Sequence, residues 1–253
     1  MADANRKVKA EQALYLFGVS RVSGRKELKA GSRGIDGVSP VKAIVCGDFL
    51  CWVSGVDQTS FAEEMERNKE NLEWLALHSV RHQQVVGEIA AQTAIVPARF
   101  GTVFSGEAAL LKNVLGRSPA LQRVFDRVAD ADEWGVKVFA DRKTAAAGVS
   151  SARSGKDYLQ QKASQLRKGP ARSDPELREL EAALEKVAAA SAPSGKVSGT
   201  QASLLWQATF LVSRSRRKQW EKILGEFVER WEGRRRIEVN GPWPPYSFVS
   251  DAD

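Results

Sequence analysis

Two histidines, His78 and His82, stand four residues apart on a predicted helix, so both rings can share one face. That spacing suits a metal pair, but zinc needs about three or four ligands, usually with a supporting acid. The residues between them are Ser-Val-Arg, so no H-E-x-x-H pattern exists, and they read as packing or hydrogen-bonding histidines. Cys46 and Cys51 flank a predicted hairpin turn and would not face each other directly across it. No C-x-x-C occurs, and both read as buried free thiols of a reducing cytosol. Asp130, Asp132 and Glu133 cluster before a predicted strand and read as a solvated loop. The chain lacks a phosphate loop, a G-x-G-x-x-G turn and a G-x-S-x-G elbow. Nothing groups an acid, a base and a nucleophile. The residues therefore call for no catalytic site, metal or cofactor.

The charges offer a second kind of chemistry. The chain carries 38 Lys+Arg against 31 Asp+Glu, a formal +7. Residues 1–149 hold 20 basic and 18 acidic side chains, and residues 150–253 hold 18 and 13, so the excess lies in the C-terminal part. Its runs are Arg214-Ser-Arg-Arg-Lys218 and Arg234-Arg-Arg236, which could meet phosphates. Neither run is interleaved with aromatics as in a single-strand binder. A solvated, partly paired face is the plainer reading, and a basic nucleic-acid-binding protein is the alternative. No apolar run reaches the ~20 residues of a membrane span. The start, Met1-Ala-Asp-Ala-Asn-Arg-Lys7, has no apolar stretch behind its charges, so no secretory signal is expected.

One segment resists a bland reading: Asn240-Gly-Pro-Trp-Pro-Pro-Tyr-Ser-Phe-Val249. Three prolines hold it extended and disfavour a regular ladder. Trp243, Tyr246, Phe248 and Val249 are too apolar for a free tail. The segment must pack on its own chain or on a partner, with its own chain favoured.

These residues need elements to hold them. Ala13–Val19 reads as a buried strand, followed by a Gly- and Lys/Arg-rich loop over 20–40. Val41–Cys46 and Phe49–Ser54 form a hairpin about Gly47-Asp48. A helical region capped by Thr59 or Ser60 runs to about Ala91. Ala94–Pro97 and Phe100–Phe104 read as extended chain, with Pro97 placing its strand at a sheet edge or marking where it begins, and Arg99 on that strand. Helices are expected at about 106–115 and 119–129, then a strand over Trp134–Ala140. The small-residue stretch Thr144–Ser154 marks a boundary between an N-terminal α+β domain, 1–148, and a C-terminal α+β domain, 149–253. In the second, Leu177, Leu180, Leu184 and Val187 form a narrow helical seam, broken upstream at Gly169-Pro170 and ended by Ser191–Gly195. Leu204–Ser213 reads as a strand. Trp220, Ile223, Leu224, Phe227, Val228 and Trp231 form a helix face closed by Gly233, and Arg236–Val239 a last strand.

The tail, Gly241-Pro-Trp-Pro-Pro-Tyr-Ser-Phe-Val249, resembles the C-terminal signature of the gas vesicle protein family GvpF/GvpL. Other segments follow in that family's order. Leu14-Tyr-Leu-Phe-Gly18 is similar to its opening strand, and Gly34-Ile-Asp-Gly37 and Gly47-Asp48 to the segments before and inside its hairpin. His82 with Val96-Pro-Ala-Arg-Phe-Gly-Thr102 resembles its H…P-x-R-F-G-T block. Glu133-Trp-Gly-Val-Lys-Val138 resembles its E-W-x-V-K-V strand, and Ser154-Gly-Lys-Asp-Tyr-Leu159 the start of its second domain. The likeness spans about 13–249. Two departures stand out: a longer, more basic 20–33 loop and a break at 169–175.

The resemblance implies two α+β domains of ferredoxin-like character. It implies a non-enzymatic accessory or minor component of gas vesicles in the bacterial cytoplasm. The implied partners are the hydrophobic shell subunit, of the GvpA type, and other vesicle proteins, with no small-molecule substrate and no membrane. An insoluble shell monomer exposes edges and apolar faces that need covering. Trp243, Pro244, Pro245, Tyr246, Phe248, Arg99 and Phe100 are the candidate partner-binding or tail-docking residues. Arg99 is expected to face solvent or to pair with an acid such as Glu133. The tail is expected to dock between the domains or against the second one, with Trp243 and Tyr246 as anchors.

Overall fold

A computed structural model describes residues 12–22, 32–141, 174–193 and 203–249. The basic stretch 23–31, the expected boundary at 144–154, the Ser154–Leu159 motif and the Gly169-Pro170 break lie outside these residues. The fold is α+β, with two antiparallel sheets. The chain divides into two compact units, residues 1–129 with 244–253, and residues 130–243.

The first unit is built on β1 (Gln12–Arg21), β2 (Val41–Cys46), β3 (Phe49–Asp57), β4 (Ile95–Pro97) and β5 (Val103–Phe104). The order is β2-β3-β1-β4, and β5 also pairs with β1. The hairpin turns at Gly47, whose φ of 64° suits glycine. Strand alternation sends Leu50 and Trp52 to one face and Phe49 and Cys51 to the other. On the first face, α1 (Gln58–Arg67) and α2 (Leu72–Ala90) bury Phe61, Val85, Val86 and Ile89 against the sheet. On the second, Phe125 of α4 (Ser118–Val128) stacks on Phe49. α3 (Glu107–Gly116) precedes it and lies by β2. The cap of α1 is Asp57 rather than Thr59 or Ser60: its carboxylate accepts the Ser60 N–H. The single helical region expected to Ala91 is two helices, because Asn71 caps a new start.

The second unit contains β6 (Ala131–Ala140), α5 (Pro175–Glu185), β7 (Ala190–Pro193), β8 (Leu204–Ser213), α6 (Arg217–Arg230) and β9 (Arg235–Trp243), in sheet order β7-β8-β6-β9. The leucine seam at 177, 180 and 184, with Val187, is core. It meets Trp220, Leu224 and Phe227 of α6, Trp231 at its C-cap, and the inward residues of β6 and β8. Asp174 caps α5, and Ala190–Pro193 is an edge strand instead of a plain helix end.

Two boundaries differ from expectation. β6, expected in the first domain, pairs with β8 and β9 and therefore belongs to the second sheet. The division falls at 129/130 instead of 148/149. The last strand is also longer than 236–239. β9 runs through Pro242 to Trp243, with a register shift opposite Glu133 and Gly135 and a cis Gly241–Pro242 bond. Prolines are tolerated there because β9 is an edge strand.

Candidate functional site

The opening-strand motif, His82 with the Val96–Thr102 block, and the end of the tail converge in the first unit. β4 and β5 are one edge strand along β1, interrupted by an excursion. Ile95, Val96 and Pro97 pair with Ser20, Val19 and Gly18, and Val103 and Phe104 pair with Tyr15 and Leu14. The ladder is carried through by Ala98 N–H to the Phe17 carbonyl and Leu16 N–H to the Thr102 carbonyl, both at 2.9 Å. Arg99, Phe100 and Gly101 therefore leave the strand as an arch, closed by Thr102 N–H and Oγ1 donating to the Arg99 carbonyl. Arg99 sits at the exposed tip of this arch, not on a strand. Phe100 turns inward and packs on the core.

Beneath the arch lies His82 of α2, almost fully buried. The Tyr15 hydroxyl is 2.8 Å from its Nδ1 and accepts the Gly101 N–H at 3.2 Å. The Tyr15 oxygen has a second lone pair, so the donor in the Tyr15–His82 bond is set by the imidazole tautomer, and burial keeps the ring neutral. The ring also lies near the Ala98 backbone, but Nε2 closes no well-formed hydrogen bond. Burial lowers the His82 pKa to about 4 and pushes the Tyr15 hydroxyl well above its usual range. Four aromatic rings surround the imidazole. Phe17 stacks at 5.7 Å, Tyr15 is edge-on at 5.7 Å, Phe100 is edge-on at 6.1 Å, and Tyr246 of the tail lies at 6.2 Å.

Tyr246 thus brings the tail to this cluster, and residues 244–253 belong to the first unit. The tail was expected against the second unit or between the two. Its turn of 3-10 helix, Tyr246–Phe248, buries Phe248 and Val249, and Arg127 of α4 donates to the Phe248 carbonyl. Pro245 is buried and Pro244 half-buried. Trp243 is not a buried anchor: it ends β9 opposite Glu133 and is 49% exposed. Of the candidate residues, Phe100 and Tyr246 meet at the histidine. Pro245 and Phe248 are buried elsewhere in the tail, and Arg99 and Trp243 are exposed residues.

Sequence reasoning placed Tyr15 and Phe17 in the opening-strand motif but gave neither a role in a site. A tyrosine in the middle of an apolar strand was the available signal, because a buried hydroxyl must find a partner. The Gly34-Ile-Asp-Gly37 segment is a turn. Asp36 accepts the Val38 and Ser39 N–H groups, Ile35 is fully buried, and the Arg81 guanidinium lies against Gly37 while donating to the Ile35 carbonyl.

The remaining candidates are structural. His78 stacks on Trp74 at 3.9 Å and gives its Nδ1–H to the Trp74 carbonyl. Cys46 lies opposite Phe49 and Cys51 opposite Ile44, so they are diagonal neighbours, with their sulfurs 3.1 Å apart. Both thiols are free and buried, and burial raises both pKa values. Asp132 pairs with Arg214 at 3.0 Å. Among the described residues, no group of three or more His, Cys, Asp or Glu is placed to hold a metal ion, and no helix is long and apolar enough to cross a membrane.

Fold and site together define an α+β protein of two antiparallel-sheet units, with one aromatic–histidine hub inside the first of them. The model of the family "Gas vesicle synthesis protein GvpL/GvpF" matches residues 13–250, and the chain belongs to that family. It is 28% identical over 253 residues to gas vesicle protein L of Streptomyces sp. (strain CB03234), covering 94% of this chain and 93% of that one. It is 25% identical to gas vesicle protein F of the same strain, covering 93% and 98%. The crystal structure of the gas vesicle protein GvpF from Anabaena sp. PCC7120 has the same fold, with a TM-score of 0.71, 19% identity, and 94% and 96% of the two chains covered. The chain thus has a role in gas vesicles.

Proposed function

We propose that this chain is a non-enzymatic accessory protein of gas vesicle assembly, which binds the hydrophobic shell subunit, of the GvpA type, and other vesicle proteins. The observation that carries this reading is the family match over nearly the whole chain, residues 13–250. The chemistry of the hub supports it. The Tyr15 hydroxyl ties His82 Nδ1 and the Gly101 N–H together beneath Phe100 and Tyr246, which makes the cluster a support for the arch and the tail. A protein of this kind acts through its surfaces, in the cytoplasm and at the growing vesicle, by covering apolar shell subunits that would otherwise aggregate. Co-expression of the tagged full chain with the shell subunit and accessory proteins, followed by affinity capture, is the test. Recovery of the shell subunit is the expected result. Capture of no vesicle protein in any combination would overturn the reading.

A further inference from the structure

Surface helices ordinarily carry charge on the face turned to water. α6 does so: Arg217, Lys218, Glu221, Lys222, Glu226, Glu229 and Arg230 are its exposed charged residues, along with Gln219, Gly225 and Val228. α2 does not. Its exposed residues are Leu72, Glu73, Ala76, Leu77, Val80, Gln83 and Gln84, with a single charge among them at the N-terminal end. Leu72 is 80% exposed, Val80 61% and Leu77 50%. At 100° per residue, these positions fill one continuous arc, opposite the buried His78, Val85, Val86 and Ile89. Gly87 ends the same arc, with nothing within 4 Å of the place a side chain would occupy. The arc is extended by the 32–40 loop, which runs along α2. Ser32 bonds Glu88, Gly37 meets Arg81, and Val38 stands 72% exposed beyond them.

The charge beside this face is reversed from that of the whole molecule. Residues 57–73 carry six acidic and two basic side chains in a chain of net +7. Both bases are spent within the segment, Arg67 on Glu63 and Lys69 on Glu66. Glu70 and Glu73 flank Leu72, and neither makes an ion pair among the described residues. An uncharged, apolar helix face with an acidic end fits a second helix that is apolar on one side and basic at one end.

We infer that the outer face of α2 is a docking surface for an amphipathic α-helix of another gas vesicle protein. The apolar side of that helix lies on Leu72, Ala76, Leu77 and Val80, and its Lys/Arg end lies over Glu70 and Glu73. Ala76 and Gly87 let the two backbones approach, and Leu72 and Leu77 supply the ridges. This rests on the functional reading above and names the surface that serves it.

The test uses the full chain and vesicle proteins co-expressed with it one at a time, the shell subunit first. Ala76→Glu with Val80→Glu should cut capture about tenfold or more, as loss of an interface centre does. The melting temperature should stay unchanged, because both positions face solvent. Glu70→Lys with Glu73→Lys, which leaves the apolar face intact, should weaken capture and flatten its dependence on salt. This pair carries the test should the first variant unfold. Lys222→Glu on α6 is the control and should capture as the wild type does. Undiminished capture by both double variants overturns the inference while leaving the functional reading standing. A wild-type dimer that Val80→Glu splits in sedimentation overturns it in favour of a second copy on this face. A wild type that captures no vesicle protein overturns both.

Discussion

His82 shows how a single burial shapes the protein's response to acid. A free histidine titrates near 6.5, and this one near 4, because burial disfavours the imidazolium. Between those values the unfolded chain binds the proton and the folded chain does not. The stabilisation is therefore complete above about pH 6.5 and is lost as pH falls towards 4, by about 3 kcal/mol in all. Melting curves from pH 7.5 to 4 should show this slope, and His82→Phe should flatten it. A slope unchanged in His82→Phe would assign the acid sensitivity to carboxylates instead. At Gly101 the backbone itself is the constraint. Its φ is 85°, and its N–H must reach Tyr15. Gly101→Ala should cost about 1–2 kcal/mol, chiefly from left-handed backbone. The Met65 methyl, 2.7 Å from the added carbon, belongs to a flexible side chain that can turn aside. Urea unfolding measures the cost, and a change below a few tenths would show that the arch adapts.

The tail is the element whose role changes most between sequence and structure. Both routes see the same residues, Trp243 to Val249, and the same reason for docking: prolines limit the entropy lost and aromatics bury area. They differ in which residues are buried. Phe248 and Val249 are buried and Tyr246 reaches the hub, while Trp243 remains half in water. Phe248→Ala should therefore cost about 3 kcal/mol. Trp243→Ala should cost about 0.5 kcal/mol or less, as is usual for exposed positions. Equal losses for the two in urea titrations would contradict this packing. The arch from Ala98 to Thr102 teaches a similar lesson. Pro97 marked an edge strand correctly, yet Arg99 and Phe100 were read as extended chain. Nothing in their side chains signals that β1 would be paired on both sides of an excursion.

At the scale of the molecule, the arginines of the two basic C-terminal runs are largely paired. Arg214 pairs with Asp132, Arg217 with Glu221, Arg230 with Glu179, Arg234 with Glu176, Arg235 with Asp174 and Glu176, and Arg236 with Glu238. The two basic runs that allowed a nucleic-acid reading are thus mostly neutralised by acids of their own unit. Titration with labelled DNA and RNA should give no saturable binding at about 150 mM salt, and only weak, steeply salt-dependent binding below it. Tight binding that persists at moderate salt would restore the nucleic-acid alternative.

The amino-acid sequence by itself determined the α+β class, the hairpin about Gly47-Asp48, the core face of α6 except Val228, which is 49% exposed, and, through its ordered short motifs, the family. Those are local properties: periodicity, turn chemistry and short patterns are complete within a few residues. The allocation of β6 was not local. Trp134, Val136 and Val138 alternate in a way that suits any sheet with one buried face, and only pairing with β8 and β9 assigns the strand to the second. The meeting of Tyr15, His82, Phe100 and Tyr246 was likewise decided in three dimensions. It joins positions 67 residues apart in the Tyr15–His82 hydrogen bond and far further apart at the tail. No periodicity encodes contacts at such separations; they are set by which buried polar groups can satisfy one another once the sheet has formed.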